Sequence, residues 1–208
     1  MKTEWLALAG LALLPISACR RSESPAFNRA PRDANILLIT LDTTRADHLG
    51  CYSTSEVRGA KTPNLDALAA RGTRFARAVA QVPLTLPSHA SIMTGAYPTV
   101  HGLRDMEGFL LDPSHPTIAS IAQGNGFATA AVVGARVLAK TFGLAHGFGY
   151  YDDDMGGQPD DEDLTGTVAE RRAGVVTQRA LDWLQSNRGK RFFLWTHYFD
   201  PHAPYDPP

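Results

Sequence analysis

The chain has 208 residues, with 20 Lys and Arg against 21 Asp and Glu, so its formal net charge is −1. Hydrophobic residues make up 44% and charged residues 20%, the usual composition of a globular protein. These values exclude a fully disordered chain, a collagen-like repeat and a strongly basic nucleic-acid-binding protein. The length is sufficient for one domain of moderate size with its own hydrophobic core.

The first residues have the form of an export signal. Lys2 precedes an apolar run from Trp5 to Ile16, and small residues then lead to Cys19. The run is too short, and its flanks are wrong, for a membrane-spanning helix. We therefore predict a signal peptide over residues 1–18.

The I-S-A-C sequence that ends at Cys19 resembles a bacterial lipobox, in which the cysteine becomes the lipidated first residue of the mature protein. The alternative is a plain cleaved signal with an incidental cysteine. The resemblance implies an exported protein that is attached to the membrane through Cys19 in the periplasm, and Arg20 favours the outer membrane. Residues 19–33 are then a tether in front of one domain over residues 34–208.

The first half of the domain begins with a predicted strand. Asn35 to Leu41 is a continuous apolar run, which is typical of a strand buried on both faces. Thr62 and Pro63 are the expected cap and first residue of a helix that runs to about residue 70, and Gly72 ends it. The other elements predicted here are a strand over 73–80 and a short helix over 87–94.

The second half continues the alternation of helices and strands. We predict a helix over 117–123, a strand over 128–133, a solvated acidic loop over 152–163, a helix over 168–184 and a buried strand over 191–197. This order indicates an α/β fold with a mostly parallel sheet and helices on both faces. Active sites of such sheets lie beyond the carboxyl ends of the strands, so the loops after Leu41, Ala80 and His197 are candidates.

The first two loops carry groups suited to ester chemistry. Asp42 could hold a divalent cation and Thr43 could add a weak neutral ligand, although an Asp after a strand is more often a turn or cap residue. Thr85 is expected just before a helix whose first residue is Pro87. A helix start favours an anionic sulfate or phosphate ester, and a metal can activate a hydroxyl placed there. The alternative is that Thr85 is an ordinary capping residue.

The third loop carries a rigid histidine. His202 stands between two prolines, each of which restricts the backbone, so it could donate a hydrogen bond to a substrate or protonate a leaving group. His197, Asp200 and Tyr205 are competing candidates for this role, and a lone histidine is more often a plain surface or core residue.

Four stretches of the chain, in this order, resemble the N-terminal part of the sulfatase family within the alkaline phosphatase superfamily. They are NILLITLDTTRADHLGCY, TPNLDALAARGTRFARAVA, PLTLPSHASIMTGAYPTVHGLRD and FFLWTHYFDPHAPY, between residues 35 and 205. The resemblance implies that Asp42 is a metal ligand, that Thr85 occupies the nucleophile position of the C-x-P-S-R signature and that His202 contacts substrate. The implied metal is Ca²⁺ or Mg²⁺, and Thr85 is counted with Asp42 and Thr43 among its ligands.

Departures from the family pattern are concentrated at the signature, which reads T-L-P-S-H. Sulfatases need Cys or Ser in the first position as the precursor of formylglycine. Thr85 carries an extra methyl group, so no formylglycine is expected. His89 replaces the Arg that normally braces that group and is a further candidate catalytic residue. Thr43 stands where many sulfatases have a second metal-binding Asp, and no G-K-W-H segment is visible.

These features predict a sulfatase-like, metal-dependent hydrolase of sulfate esters with Thr85 as nucleophile. One alternative is a phosphomonoesterase, phosphodiesterase or phospho-group transferase with the same nucleophile, and another is a non-catalytic remnant or anion-binding module. The family takes further metal ligands from a later part of its chain, so we expect a C-terminally truncated fragment that is inactive alone. The expected partners are a small sulfate or phosphate ester and the membrane, and no motif indicates nucleic acid.

Overall fold

Four parallel strands form one sheet in the order β1-β4-β2-β3 in this computed structural model, which describes residues 34–53, 60–156, 170–203 and 205. The strands are β1 (Ile36–Leu41), β2 (Ala128–Val133), β3 (Tyr150–Asp152) and β4 (Phe192–Tyr198). Because every paired strand is parallel, all the carboxyl ends lie along one edge of the sheet. The predicted α/β fold is confirmed. The predicted signal peptide and tether, including Cys19, lie outside the described residues.

Helices cover both faces of the sheet, as predicted. They are α1 (Pro63–Arg71), α2 (Thr85–Thr94), α3 (Pro98–His101), α4 (Ile118–Gly124) and α5 (Ala173–Ser186). On one face, Leu86 of α2 and Ala119 of α4 share a core with Val133 and Trp195. Helix α5 covers the other face through Val176 and neighbouring apolar residues. No helix among the described residues is long and apolar enough to cross a membrane.

The position of strand β2 between two covered faces explains why its sequence is apolar except for Thr129. Ala131 and Val133 point to the core of α2 and α4, whereas Ala130 and Val132 point to α5. Consecutive side chains of a strand point to opposite faces, so a strand covered on both faces needs apolar residues at every position. Strand β2 lies between β4 and β3 in the sheet. Complete burial of each valine-sized side chain contributes roughly 1.5–3 kcal/mol to the stability of the fold.

Strand β1 differs from its prediction. It was expected to be buried on both faces, but Ile36, Leu37 and Ile39 are 42%, 53% and 47% exposed. The strand is an edge strand among the described residues and pairs only with β4. Leu38 packs against the core, while the described elements leave the opposite face of β1 open to solvent. The apolar run was therefore a sound indication of a strand and a wrong indication of its burial.

Two elements in the first half also need correction. Residues 73–80 were predicted as a strand, but they form no strand and their side chains are exposed. Helix α2 begins at Thr85 and not at Pro87, so Thr85 is its first residue and Leu84 is the extended residue at its cap. Pro87 is tolerated because the first N–H groups of a helix have no partner within the helix.

Two elements in the second half differ as well. Strand β3 was not predicted, and only its last residue, Asp152, overlaps the predicted acidic loop over 152–163. Pairing with β2 holds its three residues in place. Helix α5 begins at Ala173 and not at residue 168, since Glu170 instead forms a β-bridge with Ala135. Residues 157–169 lie outside the described part of the chain.

Gly147 provides a test of the packing between α4 and the turn before β3. Its φ is +88°, and an added Cβ would collide with the backbone of Ser120. Gly102 has a similar φ of +87° but has open space around the Cβ position. We expect Gly147→Ala to lower the free energy of unfolding by more than about 2 kcal/mol, against about 1 kcal/mol for Gly102→Ala, because only the first adds a clash to the backbone cost. Equal effects in urea denaturation would contradict the packing.

Candidate active site

Two of the predicted loops meet at the carboxyl edge of the sheet. Asp42 directly follows β1, and its backbone N–H donates a 2.9 Å hydrogen bond to the carbonyl of Tyr198 at the end of β4. Thr85 enters from the first turn of α2. The sequence places these two residues at separate strand and helix ends, and the parallel sheet brings them to the same edge.

One carboxylate oxygen of Asp42 receives two hydrogen bonds. The hydroxyl Oγ1 of Thr85 donates to Oδ2 of Asp42 at 3.1 Å. Nε2 of His197, near the end of β4, lies 3.2 Å from the same oxygen. A carboxylate oxygen only accepts, so Nε2 carries the proton in this contact. No group in the described part of the chain donates a hydrogen bond to the other oxygen, Oδ1.

The environment of Asp42 favours its anionic form. Burial raises the pKa of this carboxyl, but the hydrogen bonds from His197 and Thr85 and the nearby imidazoles lower it by more. The pKa of Asp42 therefore lies below its ordinary value. A carboxylate of low pKa is a weak base for a hydroxyl and a good ligand for a cation.

His89 lies behind Thr85 on the same helix. Its Nδ1 donates a 2.7 Å hydrogen bond to the carbonyl of Thr85, and its ring meets the rings of Trp195 and His197. Burial lowers the pKa of His89 to about 4, so the ring is neutral at pH 7. His89 thus contributes packing and a backbone hydrogen bond here and does not present a positive charge.

Thr43 connects the first loop to the third. Its hydroxyl donates to the carbonyl of Pro201 at 3.1 Å, and its φ is +49°, which is rare for a β-branched residue. The hydroxyl proton is committed to this contact, while the oxygen lone pairs are the part that remains for a cation.

His202 belongs to the same edge but contacts neither Asp42 nor Thr85. Its ring stacks on Phe199 at 4.2 Å between centroids, and its Nδ1 donates to the carbonyl of Ala203 at 2.7 Å. Nε2 is therefore the ring nitrogen left for a substrate. Asp200 instead accepts from the N–H of Ala173 at the start of α5, and Tyr205 is largely exposed.

A cavity of about 420 Å³ opens above these residues. Its polar lining is supplied by Asp42, Ser88, His89 and the threonines Thr40, Thr43, Thr44 and Thr85, and the remaining lining residues are apolar. Among the sequence candidates, the structure brings Asp42, Thr43, Thr85 and His89 to one cavity and leaves His202 outside its lining. The contact between His197 and Asp42 was not expected, and its only sequence signal was a polar residue at the end of an apolar strand.

The oxygen ligands available here suit a hard divalent cation. The carboxylate of Asp42 and the hydroxyls of Thr85 and Thr43 are the ligand types that Ca²⁺ and Mg²⁺ prefer. Ca²⁺ and Mg²⁺ take about six or more oxygens, which is more than these residues supply. Within the described ranges there is no group of three or more His, Cys, Asp or Glu side chains that could hold a metal ion.

Comparison with known proteins gives related sulfatases. Steryl-sulfatase of Mus musculus is 38% identical over an alignment of 113 positions, which covers 50% of this chain and 18% of that protein. The N-acetylglucosamine-6-O-sulfatase of Bacteroides thetaiotaomicron is 25% identical over an alignment of 211 positions, which covers 96% of this chain and 36% of that protein. The chain thus spans between 18% and 36% of the length of these two relatives.

A solved structure of a protein in complex with its substrate, D-glucosamine-2-N,6-O-disulfate, has the same fold. It superimposes with a TM-score of 0.66 at 22% identity, and the match covers 83% of this chain and 35% of that one. The model of the Sulfatase family matches residues 34–208, which include the sheet, the signature segment and the loop of His202. This chain belongs to the sulfatase family.

Proposed function

We propose that this chain carries the nucleophile and part of the cation-binding edge of a hydrolase of sulfate esters. The observation that carries the proposal is the 3.1 Å contact between Oγ1 of Thr85 and Oδ2 of Asp42 at the first turn of α2. It joins a hydroxyl, an anionic carboxylate and a helix N-terminus, which together suit the attack of an alcohol on a charged ester.

Asp42, Thr85 and Thr43 would hold the cation, and Asp42 would be the anionic ligand. When bound, a divalent cation lowers the pKa of a nearby hydroxyl and neutralises charge on the ester oxygens. The low pKa of Asp42 supports a role as ligand over a role as proton acceptor. The N-terminus of α2 adds a positive dipole end on the side where the ester would lie.

The proposed reaction forms a covalent ester on Thr85. Oγ1 attacks the sulfur, the bond from sulfur to the substrate alcohol breaks, and the hydroxyl proton passes to solvent or to the departing alcohol. The imidazolium form of His202 would donate the proton on Nε2 to that alcohol, because Nδ1–H is held by the carbonyl of Ala203. Water then hydrolyses the Thr85 ester and restores the hydroxyl.

A phosphate ester is the second candidate substrate, and the identity of residue 85 favours it. A formylglycine sulfate ester can be released through collapse of a hemiacetal, whereas an ester of Thr85 has to be hydrolysed directly by water. Direct hydrolysis of a covalent ester is familiar chemistry for phosphate. The fold is compatible with both substrates, so the leaving anion has to be identified by experiment.

The test compares 4-nitrophenyl sulfate with 4-nitrophenyl phosphate in the 208-residue chain and in the longest reading frame that contains it. We expect the longer polypeptide to show turnover that is removed by EDTA and restored by Ca²⁺ or Mg²⁺, with the sulfate ester as the better substrate, and the 208-residue chain to show none. Preference for the phosphate ester would replace the first proposal by the second. Absence of turnover with both esters would contradict an enzyme and favour an anion-binding module.

A further inference from the structure

The proposed reaction gives no role to His197. His197 is fully buried, and it is the only side chain besides Thr85 that donates a hydrogen bond to Asp42 within the described residues. A buried imidazole beside a buried carboxylate needs a reason, because both groups lose their contact with water.

The ring of His197 is held in one orientation by its neighbours. The ring of His89 meets it edge-on at 4.9 Å between centroids, and the rings of Trp195 and Phe199 lie at 6.4 and 6.3 Å. Trp195 is itself anchored, since its Nε1 donates to the hydroxyl of Thr40 on β1. Packing on several sides leaves the ring little freedom to rotate, so Nε2 stays directed at Oδ2 of Asp42.

We propose that His197 is a positioning residue for the cation site. By donating from Nε2 to Oδ2, together with the hydroxyl of Thr85, it fixes the rotation of the Asp42 carboxylate and leaves Oδ1 as the oxygen that binds the cation. This inference rests on the proposed function for the existence of a cation, and it adds the geometry with which this chain binds it. Partners that orient a ligand in this way typically contribute roughly 10–100-fold to metal affinity.

Amide side chains provide matched variants. The side-chain N–H of Gln lies near the position of Nε2 of a histidine, whereas that of Asn lies near Nδ1, which has no hydrogen-bond partner here. His197→Gln therefore keeps a donor for Asp42, and His197→Asn removes it at similar polarity. His197→Phe keeps the ring and removes both nitrogens.

The experiment measures Ca²⁺ affinity by calorimetry in the longest polypeptide that contains this chain, and thermal unfolding without metal serves as the check on folding. We expect His197→Asn and His197→Phe to weaken Ca²⁺ binding by roughly tenfold or more and His197→Gln by less than about threefold. A purely structural histidine would instead lower the unfolding temperature in all variants without this order of affinities. If His197→Phe fails to fold, the comparison of Asn with Gln carries the test.

Each outcome decides a separate question. Equal affinity in the Gln and Asn variants overturns the positioning role and leaves the proposed hydrolase intact. Ca²⁺ binding with the expected order, but without hydrolysis of either ester, supports the positioning role and contradicts the hydrolase. A wild-type protein that binds no Ca²⁺ overturns the inference, and hydrolysis that persists in EDTA would show that the reaction needs no cation.

Discussion

Replacing Thr85 by valine is expected to lower the rate of ester hydrolysis by roughly a hundredfold or more, because the covalent intermediate cannot form without the nucleophile. Valine has nearly the shape of threonine and lacks the hydroxyl that donates to Asp42 at 3.1 Å. The loss should therefore appear in kcat and not in the fold, which circular dichroism and thermal unfolding would check.

Thr85→Ser is the matched control, because it keeps a hydroxyl at the same position. We expect it to retain most of the activity, and intact mass should show an unmodified serine, since a formylglycine at this position would give activity of a different origin. Wild-type rates in Thr85→Val would remove Thr85 from the mechanism. The Thr85 hydroxyl would then serve only to hold Asp42, since Leu84 and not Thr85 is the cap residue of α2.

The largest loss of stability is expected for Arg171→Met, which should lower the free energy of unfolding by about 3–5 kcal/mol at pH 7. Arg171 connects the ends of β2 and β3 at the carboxyl edge of the sheet. Its Nη1 pairs with Asp152 at 2.7 Å, and its Nη2 donates to the carbonyls of Val133 and Asp152. Both side chains of the pair are nearly inaccessible, at 4% and 6% exposure. The variant would leave the Asp152 carboxylate buried without its main partner.

Arg179 offers a matched control for this prediction. Its Nε lies 3.9 Å from the same carboxylate, but its side chain is half exposed. Solvent screens such a pair, so Arg179→Met should cost less than about 1 kcal/mol. Similar losses for Arg171→Met and Arg179→Met in urea denaturation would show that burial does not set the strength of these contacts.

The effect of Arg171→Met should also depend on pH. Burial raises the pKa of Asp152, but the hydrogen bond and charge of Arg171 lower it by more, so the folded-state pKa lies below the ordinary value. A lowered pKa contributes stability above the unfolded-state pKa of about 3.9 and loses it as pH falls toward the folded-state pKa. The difference between wild type and Arg171→Met should therefore shrink at acid pH, as Asp152 becomes protonated in both folded proteins, and a constant difference would contradict this linkage.

Local sequence signals were sufficient to predict the elements whose ends are set by nearby capping residues. Thr62, Pro63 and Gly72 bound α1 as predicted, and Thr117 caps α4 through a reciprocal pair of hydrogen bonds with Ser120. Such signals act within a few residues, so they can be read without knowledge of the fold. The apolar run of β2 belongs to the same class, because burial on both faces requires it.

Elements that depend on distant partners were predicted less well. Residues 73–80 were predicted as a strand, yet no described strand pairs with this segment. Tyr150 to Asp152 form β3 because they pair with β2, and nothing in the acidic sequence around them indicates a strand. The exposure of β1 is decided in the same way, since it depends on which elements cover the strand and not on its own residues.

The sequence by itself determined the class of fold, the strand ends that carry Asp42 and Thr85, and membership of the sulfatase family, because strand pattern and ordered motifs are properties of neighbouring residues. Only the tertiary structure decided that His197, 155 positions from Asp42, directs a proton at the oxygen that Thr85 also contacts. The physical reason is that β1 and β4 are adjacent and parallel in the sheet, and this pairing sets which side chains meet at its edge.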